Sequence, residues 1–467
     1  MGSPQSSTER HGGKAGKKGW KKWLGKRKRK SSVKLGVLCV AFFCIPTALQ
    51  AQSSPLLERY RSMALAYSHD LKAAEKNISA SLELEKSARA DLKPKLSAGG
   101  QFNYTGKPMK LSLDLPALES PLNFGGQNLG YGASVSLLQP LYTGGMLLES
   151  IKMAQHQQSL AKNQQEMIQA MICYQVDIQY WNTVARRELV SVATAFRHSI
   201  ASLVRTIKER VDAGLTDRQD LLMAEVKLND AEYQLLQAQN NLETGRMALN
   251  SLIGEALSAD TEIETRLPAV CAEEAAAPGN AGSRPELRMA DDRIRLAESS
   301  CKLNDAKFRP QFYIGIDGSC SSPGYNFNKD LDPNYAVYAK VSVPLWEWGK
   351  RKSVKRASTF KVGMAQDNRR RVEDDLTLEV QTARLSLAQS AERIRLSQNS
   401  LEKADENERQ ALERYTEGRT SLIDVIEAQT YRQQAQQLSV QARAGGQSDA
   451  AALTKALNGY GRVIEKL

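Results

Sequence analysis

Glu209-Arg210-Val211-Asp212-Ala213-Gly214-Leu215-Thr216 returns 204 positions later as Glu413-Arg414-Tyr415-Thr416-Glu417-Gly418-Arg419-Thr420. The same offset lays Pro140-Leu141-Tyr142-Thr143-Gly144-Gly145 on Pro344-Leu345-Trp346-Glu347-Trp348-Gly349, Asp220 on Asp424 and Ala224 on Ala428. An offset held without a gap across residues 140–224 marks an internal duplication, so both halves build the same thing. Upstream, Ala90-Asp91-Leu92-Lys93-Pro94 resembles Ala306-Lys307-Phe308-Arg309-Pro310 at a slightly different offset, as loops of unequal length would produce.

Each half reads as helix, strand, loop, strand, very long helix, turn, helix. No proline lies between Leu141 and Leu267 or after Leu345, residues 146–213 contain no glycine, and residues 350–417 contain only Gly363. A continuous helix over either stretch spans roughly 100 Å. That length calls for coiled-coil packing, with Gly214 and Gly418 as left-handed terminators. Ala224, Leu228, Ala231, Leu235, Ala238, Leu242, Gly245, Leu249 and Leu252 then step by four and three, small residues alternating with Leu.

A fibrous coiled coil does not account for four alternating segments. Leu96, Ala98, Gly100, Phe102 and Tyr104 form the first, and Tyr131, Ala133, Val135 and Leu137 the second. Phe312, Ile314 and Ile316 form the third, and Tyr335, Val337, Ala339, Val341 and Val343 the fourth. Segments of about ten residues with one apolar and one small or polar face match membrane β-barrel strands. Four strands cannot close a barrel, and an open edge in lipid is prohibitive. Two copies would give eight strands and a filled interior; three would give twelve and leave a passage. The strand count favours a trimer for anything that conducts.

The formal charge of +12 suggests nucleic acid, but residues 1–51 carry twelve of the Lys/Arg against Glu9 alone, and the rest is nearly neutral. That block precedes the apolar run Leu35–Ile45 and a plausible cut after Ala51, which is the pattern of a secretory signal peptide. Mean hydropathy is −0.45 and the body has no apolar run of 18 residues, which excludes a helical-bundle membrane protein. The expected organisation is a signal peptide at 1–51, a first repeat at 52–267, a linker at 268–283 and a second repeat at 284–467. Cys173, Cys271, Cys301 and Cys320 form no C-x-x-C pair, and His69, His156 and His198 are scattered, so no metal or redox site is indicated. No Gly-rich phosphate loop is present, no cofactor is expected, and no constellation on the loops 105–130 and 321–334 suggests an enzyme.

Signal peptide, duplicated halves, paired strands and long helices together resemble the TolC family of outer-membrane efflux proteins. The most specific pieces are Gln139–Gly145 with its partner Val343-Pro344-Leu345-Trp346, and Arg414–Gln429, which is similar to the family's periplasmic-tip turn. Leu249-Asn250-Ser251-Leu252-Ile253-Gly254 resembles a closing motif after the fourth helix, echoed by Leu457-Asn458-Gly459. The resemblance implies an α+β membrane protein: a homotrimer with a twelve-stranded barrel in outer-membrane lipid and a coiled-coil tunnel across the periplasm. It also implies docking on a periplasmic adaptor protein and an inner-membrane efflux pump or ABC-type secretion transporter, with no nucleic acid involved.

By that resemblance the tunnel is narrowed by carboxylates just after the tips, at Asp424 and Glu427 in the second half and Asp220 in the first. Three-fold rings of such groups would favour cations. Tyr415 is the candidate for a closing hydrogen bond. Thr420 stands where the family's pattern has an arginine, so Arg419 is the candidate substitute, and the turns at Gly214 and Gly418 are the expected adaptor contacts. The function expected is a passive export duct for drugs, metals or proteins. Its competitor is a structural coiled-coil envelope protein without a barrel.

Overall fold

The computed structural model describes residues 54–113, 122–268, 270, 283–324 and 330–464. The expected signal peptide and most of the expected linker lie outside the described residues. The chain runs α1 (Pro55–Tyr67), α2 (His69–Ala90), β1 (Lys95–Tyr104), β2 (Lys110–Leu113), β3 (Leu122–Gly125), β4 (Leu129–Tyr142), α3 (Met146–Asp212) and α4 (Arg218–Ile253). It then repeats itself as α5 (Pro285–Ala306), β5 (Gln311–Ser322), β6 (Asp332–Ser342), α6 (Lys350–Thr416) and α7 (Leu422–Ala456), ending in α8 (Gly459–Ile464). The long helices α3 and α6 are 67 residues each, as the duplication requires.

Two details go beyond the sequence pattern. The first helix is broken at Ser68, whose Oγ accepts from the backbone N–H of Leu71 while its own N–H donates to the Ala64 carbonyl. One serine thus stops α1 and caps α2. The first loop also contains a small hairpin, β2 on β3, pairing Lys110 with Gly125 and Leu113 with Leu122.

The four long strands form one antiparallel sheet in the order β1-β4-β5-β6. Its register sorts the side chains cleanly. Leu96 lies opposite Leu137, Leu137 opposite Ile316 and Ile316 opposite Val337, so one face carries the apolar rows. Most of this face is exposed in the single chain, with Leu96, Phe102 and Val337 each more than 60 % accessible and Leu137 half-buried. The other face carries Ser97, Ser136 and Asp317, where the Ser136 hydroxyl donates to the Asp317 carboxylate and the Tyr338 hydroxyl reaches the same oxygen at 3.5 Å. An apolar exposed face backed by a hydrogen-bonded polar one is what a lipid-facing barrel wall needs. β1 and β6 stand at the sheet's two ends with unpaired edges.

All four helices adjoining the sheet attach at one end of it, because β1 and β5 begin where α2 and α5 stop, and β4 and β6 end where α3 and α6 start. Away from the sheet, α4 lies along α3 and α7 along α6, with α7 also packed on α3. The heptad of α4 faces this packing: Ala224, Ala231, Gly245 and Leu249 are buried and the intervening leucines half-buried. The main core joins α1, mid-α3, the end of α4 and α7 through Tyr60, Tyr180, Trp181, Leu249 and Val440. Within it Arg61 makes a two-pronged ion pair with Asp177 at 2.7 and 2.6 Å, and the Tyr460 hydroxyl donates to the same carboxylate at 2.6 Å. This buried trio ties the start of the first repeat to the end of the second.

The closing motifs have a plain structural meaning. Asn250 donates to the carbonyls of Ala256, Leu257 and Ala259, folding the segment after α4 back on its end. Its echo, Asn458, donates to the backbone and side-chain oxygens of Ser283, just before α5. Cys173, Cys301 and Cys320 are free thiols, and burial pushes the Cys173 thiol up to about 12.

Candidate channel-closing site at the helix tips

The two turns farthest along the chain from the sheet are built identically. Gly214 has φ 73° and Gly418 φ 74°, the left-handed conformation that ends a helix at little cost only in glycine. The N–H of Leu215 donates to the Arg210 carbonyl and that of Gly214 to Val211; Arg419 to Arg414 and Gly418 to Tyr415 repeat the pattern. These are Schellman closures, as expected from the sequence.

Beyond the glycine the repeats differ. Ser421 caps α7 by accepting from the Asp424 backbone N–H at 3.3 Å, and the Asp424 carboxylate accepts from the Ser421 N–H at 3.0 Å, a reciprocal capping box. The Thr420 and Ser421 hydroxyls also donate to the Asp424 carboxylate, at 2.6 and 2.7 Å. These hydroxyls, with the Ser421 N–H, hold the Asp424 carboxyl below the usual carboxylate range. In the first repeat Asp217 is the cap and Asp220 accepts from the Thr216 hydroxyl at 2.7 Å. Both aspartates therefore lie in the first turn of their helix, next to the tip. Within one chain the Asp424 carboxylate already has a local task. Glu427 lies one turn further along and is exposed.

Tyr415 is buried in the cluster that joins the tips, with Leu203 and Ile207 of α3, Ala224 of α4 and Leu422 and Val425 of α7. Its hydroxyl makes no hydrogen bond among the described residues. Arg419 is exposed and pairs with Glu417 at 3.1 Å on its own turn. At the tips, Arg210 crosses between the repeats. Its guanidinium lies 4.8 Å from the centre of the Tyr415 ring and donates to the Tyr415 and Thr416 carbonyls at 3.3 and 3.1 Å. Both carbonyls lie at the C-terminal end of α6, where a cation is favoured, and the Tyr415 carbonyl also accepts the Gly418 N–H. No local sequence pattern singles out Arg210. It is a basic residue in the last helical turn before a terminating glycine, but its target lies 205 positions away.

Further along, polar side chains couple α7 to the first repeat. Gln429 donates to the Ser199 hydroxyl at 2.8 Å, Gln433 to Gln234 at 2.5 Å, and Arg443 pairs with Glu188 at 2.6 Å. The arrangement can hold two helix hairpins together at their tips or release them. It contains no grouping of three or more potential metal ligands among the described residues.

A family model described as outer membrane efflux protein matches residues 60–255 and 281–459. The chain belongs to this family. Membership places this outer membrane efflux protein in the outer membrane, extending into the periplasm. It is 24% identical over 313 residues to the solvent efflux pump outer membrane protein SrpC of Pseudomonas putida, across 66% of this chain and 64% of SrpC. The match thus spans a little under two thirds of that relative's length. The cobalt-zinc-cadmium resistance protein CzcC of Cupriavidus metallidurans is 24% identical over 300 residues, across 62% of this chain and 68% of CzcC. Among solved structures, the outer membrane protein VceC from Vibrio cholerae superposes with a TM-score of 0.70 at 16% identity, covering 86% of this chain and 95% of VceC. At that identity the likeness is one of fold.

Proposed function

We propose that three copies of this chain close a twelve-stranded barrel and form a passive export duct. The observation that carries the reading is a single one. The sheet's apolar face is exposed, its edges at β1 and β6 are open, and its strands run on into helices of 67 residues. An open sheet edge is intolerable in lipid, and joining β6 of one copy to β1 of the next removes every edge. Three copies leave a passage where two would fill it. The organisation into repeats at 52–267 and 284–467, with a linker between, belongs to this reading.

The duct would receive cargo from an inner-membrane pump or ABC transporter through a periplasmic adaptor, which would grip the tips around Gly214 and Gly418. Asp424, Glu427 and Asp220 are the proposed constriction. Tyr415 remains the candidate for a closing hydrogen bond, since its hydroxyl has no partner among the described residues. Arg419, exposed and paired only with Glu417 of its own turn among the described residues, is the candidate to reach a neighbouring copy, while Arg210 links the two tips of one copy. The names of SrpC and CzcC support small organic solvents or divalent metals as the cargo class. Deleting the chain from its host should sensitise the cell to one of these two classes. Unchanged tolerance to both would contradict the cargo assignment.

A further inference from the structure

The junction of β6 with α6 presents an exposed aromatic and basic surface that the export duct does not use. Pro344-Leu345-Trp346-Glu347-Trp348-Gly349 leads directly into α6. Leu345 and Trp348 are each 89 % exposed and Trp346 75 %, the two indoles meeting edge to face at 5.9 Å. Trp348 has φ 47°, a left-handed conformation that strains any bulky residue. Its counterpart in the first repeat is Gly144, φ 65°, where a Cβ would approach the Ala306 carbonyl to 2.7 Å. The second repeat thus holds a large, exposed aromatic where the fold favours glycine. Strain of that kind is retained where an outside contact uses it.

The next residues diverge in the same direction. Lys350, Arg351, Lys352, Lys355 and Arg356 occupy the first two turns of α6, all exposed, with no acid in the first turn. The matching positions of α3 are Met146, Leu147, Leu148, Ile151 and Lys152. Cations at a helix N-terminus oppose the helix dipole, and Lys352 with Arg356 is a like-charge pair one turn apart. Arg351 is balanced by Asp305 at 3.0 Å and Lys350 by Glu347 at 3.5 Å. Lys352, Lys355 and Arg356 make no ion pair among the described residues. The cluster is an unfavourable arrangement for the isolated helix and a suitable one beside anionic phosphates.

We infer that Trp346, Trp348 and the Lys352–Lys355–Arg356 face form a docking collar for anionic phospholipid headgroups of the outer membrane's periplasmic leaflet. The collar is continuous with the lipid-facing rows of the sheet, since Val337 and Val341 on β6 lead straight to it. Exposed indoles settle at the interface between hydrocarbon and headgroup. Lysines and arginines one turn beyond them then stand at phosphate depth, where polybasic segments concentrate acidic lipid. The inference rests on the outer-membrane placement of the sheet and is independent of cargo and pump.

The test uses the assembled mature protein, beginning after Ala51, in vesicles of phosphatidylcholine containing brominated phosphatidylglycerol, or brominated phosphatidylcholine at equal mole fraction. Tryptophan quenching by the anionic lipid should exceed that by the zwitterionic one by about twofold or more at low salt, and the excess should fade as salt rises. In that mature chain, which lacks Trp20 and Trp23, Trp346→Phe with Trp348→Phe should remove the quenching and leave only the buried Trp181. Lys352→Ser, Lys355→Ser and Arg356→Ser together should lower the anionic value to the zwitterionic one. Equal quenching of the parent protein by both lipids, or a triple variant that keeps the preference, would overturn the inference. So would a triple variant whose assembly falls apart in lipid-free detergent, since the cations would then serve a neighbouring copy.

Discussion

Arg210 lies across Tyr415, 205 residues further along the chain, holding the ring by its face and the helix end by its carbonyl. One side chain from the last turn of α3 therefore reaches the last turn of α6 and links the two tips of a single copy. Cation–ring contact and charge-assisted hydrogen bonds together contribute about 1–3 kcal/mol at a half-exposed site.

Arg210→Ala should free the tips without unfolding the helices. Reconstituted channels should open roughly tenfold more often, while the far-ultraviolet circular dichroism stays unchanged. Arg210→Lys should recover part of the closure, because an ammonium can meet the carbonyls but cannot span them as a planar fork does. Equal opening in the parent and Arg210→Ala would show that the tips are held by other contacts.

Asp424 combines a cap and a charge, and the two can be separated. Asp424→Asn retains an acceptor for Thr420 and Ser421 but removes the charge; Asp424→Ala removes both. Ion selectivity should shift away from cations in both variants, while amide exchange over residues 418–425 should quicken chiefly in the alanine variant. Because its carboxyl is held below the ordinary 3.8, the stability it contributes is present above that pH and is lost as pH falls through the lowered value. Faster exchange in both variants with selectivity unchanged would make Asp424 a cap alone.

The trio Arg61, Asp177 and Tyr460 offers a test far from the tips. Asp177→Asn leaves the buried Arg61 cation uncompensated and should cost about 3–5 kcal/mol in denaturant unfolding. Burial, then the Asp177 charge, pushes the Tyr460 phenol well above 10. A raised folded value means that its contribution is whole below pH 10 and declines as pH rises toward that higher value. Tyr460→Phe should therefore be less stable than the parent at neutral pH and lose less stability between pH 10 and 12. An identical alkaline decline in both proteins would remove Tyr460 from the account.

What could be read from residues alone followed from periodicity and punctuation. The absence of glycine and proline over 146–213 made α3 legible, Gly214 and Gly418 marked its end and that of α6, and alternation exposed all four long strands. The break at Ser68 was not legible, since α1 and α2 share one uninterrupted polar-apolar pattern and only a capping serine separates them. The β2–β3 hairpin was hidden because four-residue strands carry too little alternation. At the tips, the positions of Asp220 and Asp424 followed from the repeat, but their local duties did not. Ser421-x-x-Asp424 is a capping signature that the acidic-ring reading overlooked. Arg210, Gln429 and Gln433 act across more than 190 residues, and no local pattern reveals such partners.

The central claim is that four strands per chain become a closed barrel only by threefold joining of β6 to β1. The most direct measurement is the protein mass of the detergent-extracted assembly, set against the chain mass found after N-terminal sequencing. The account predicts three chains, held together by a disulfide when cysteines are placed at facing positions on the β1 and β6 edges. One or two chains, or edge cysteines that never join between copies, would contradict it.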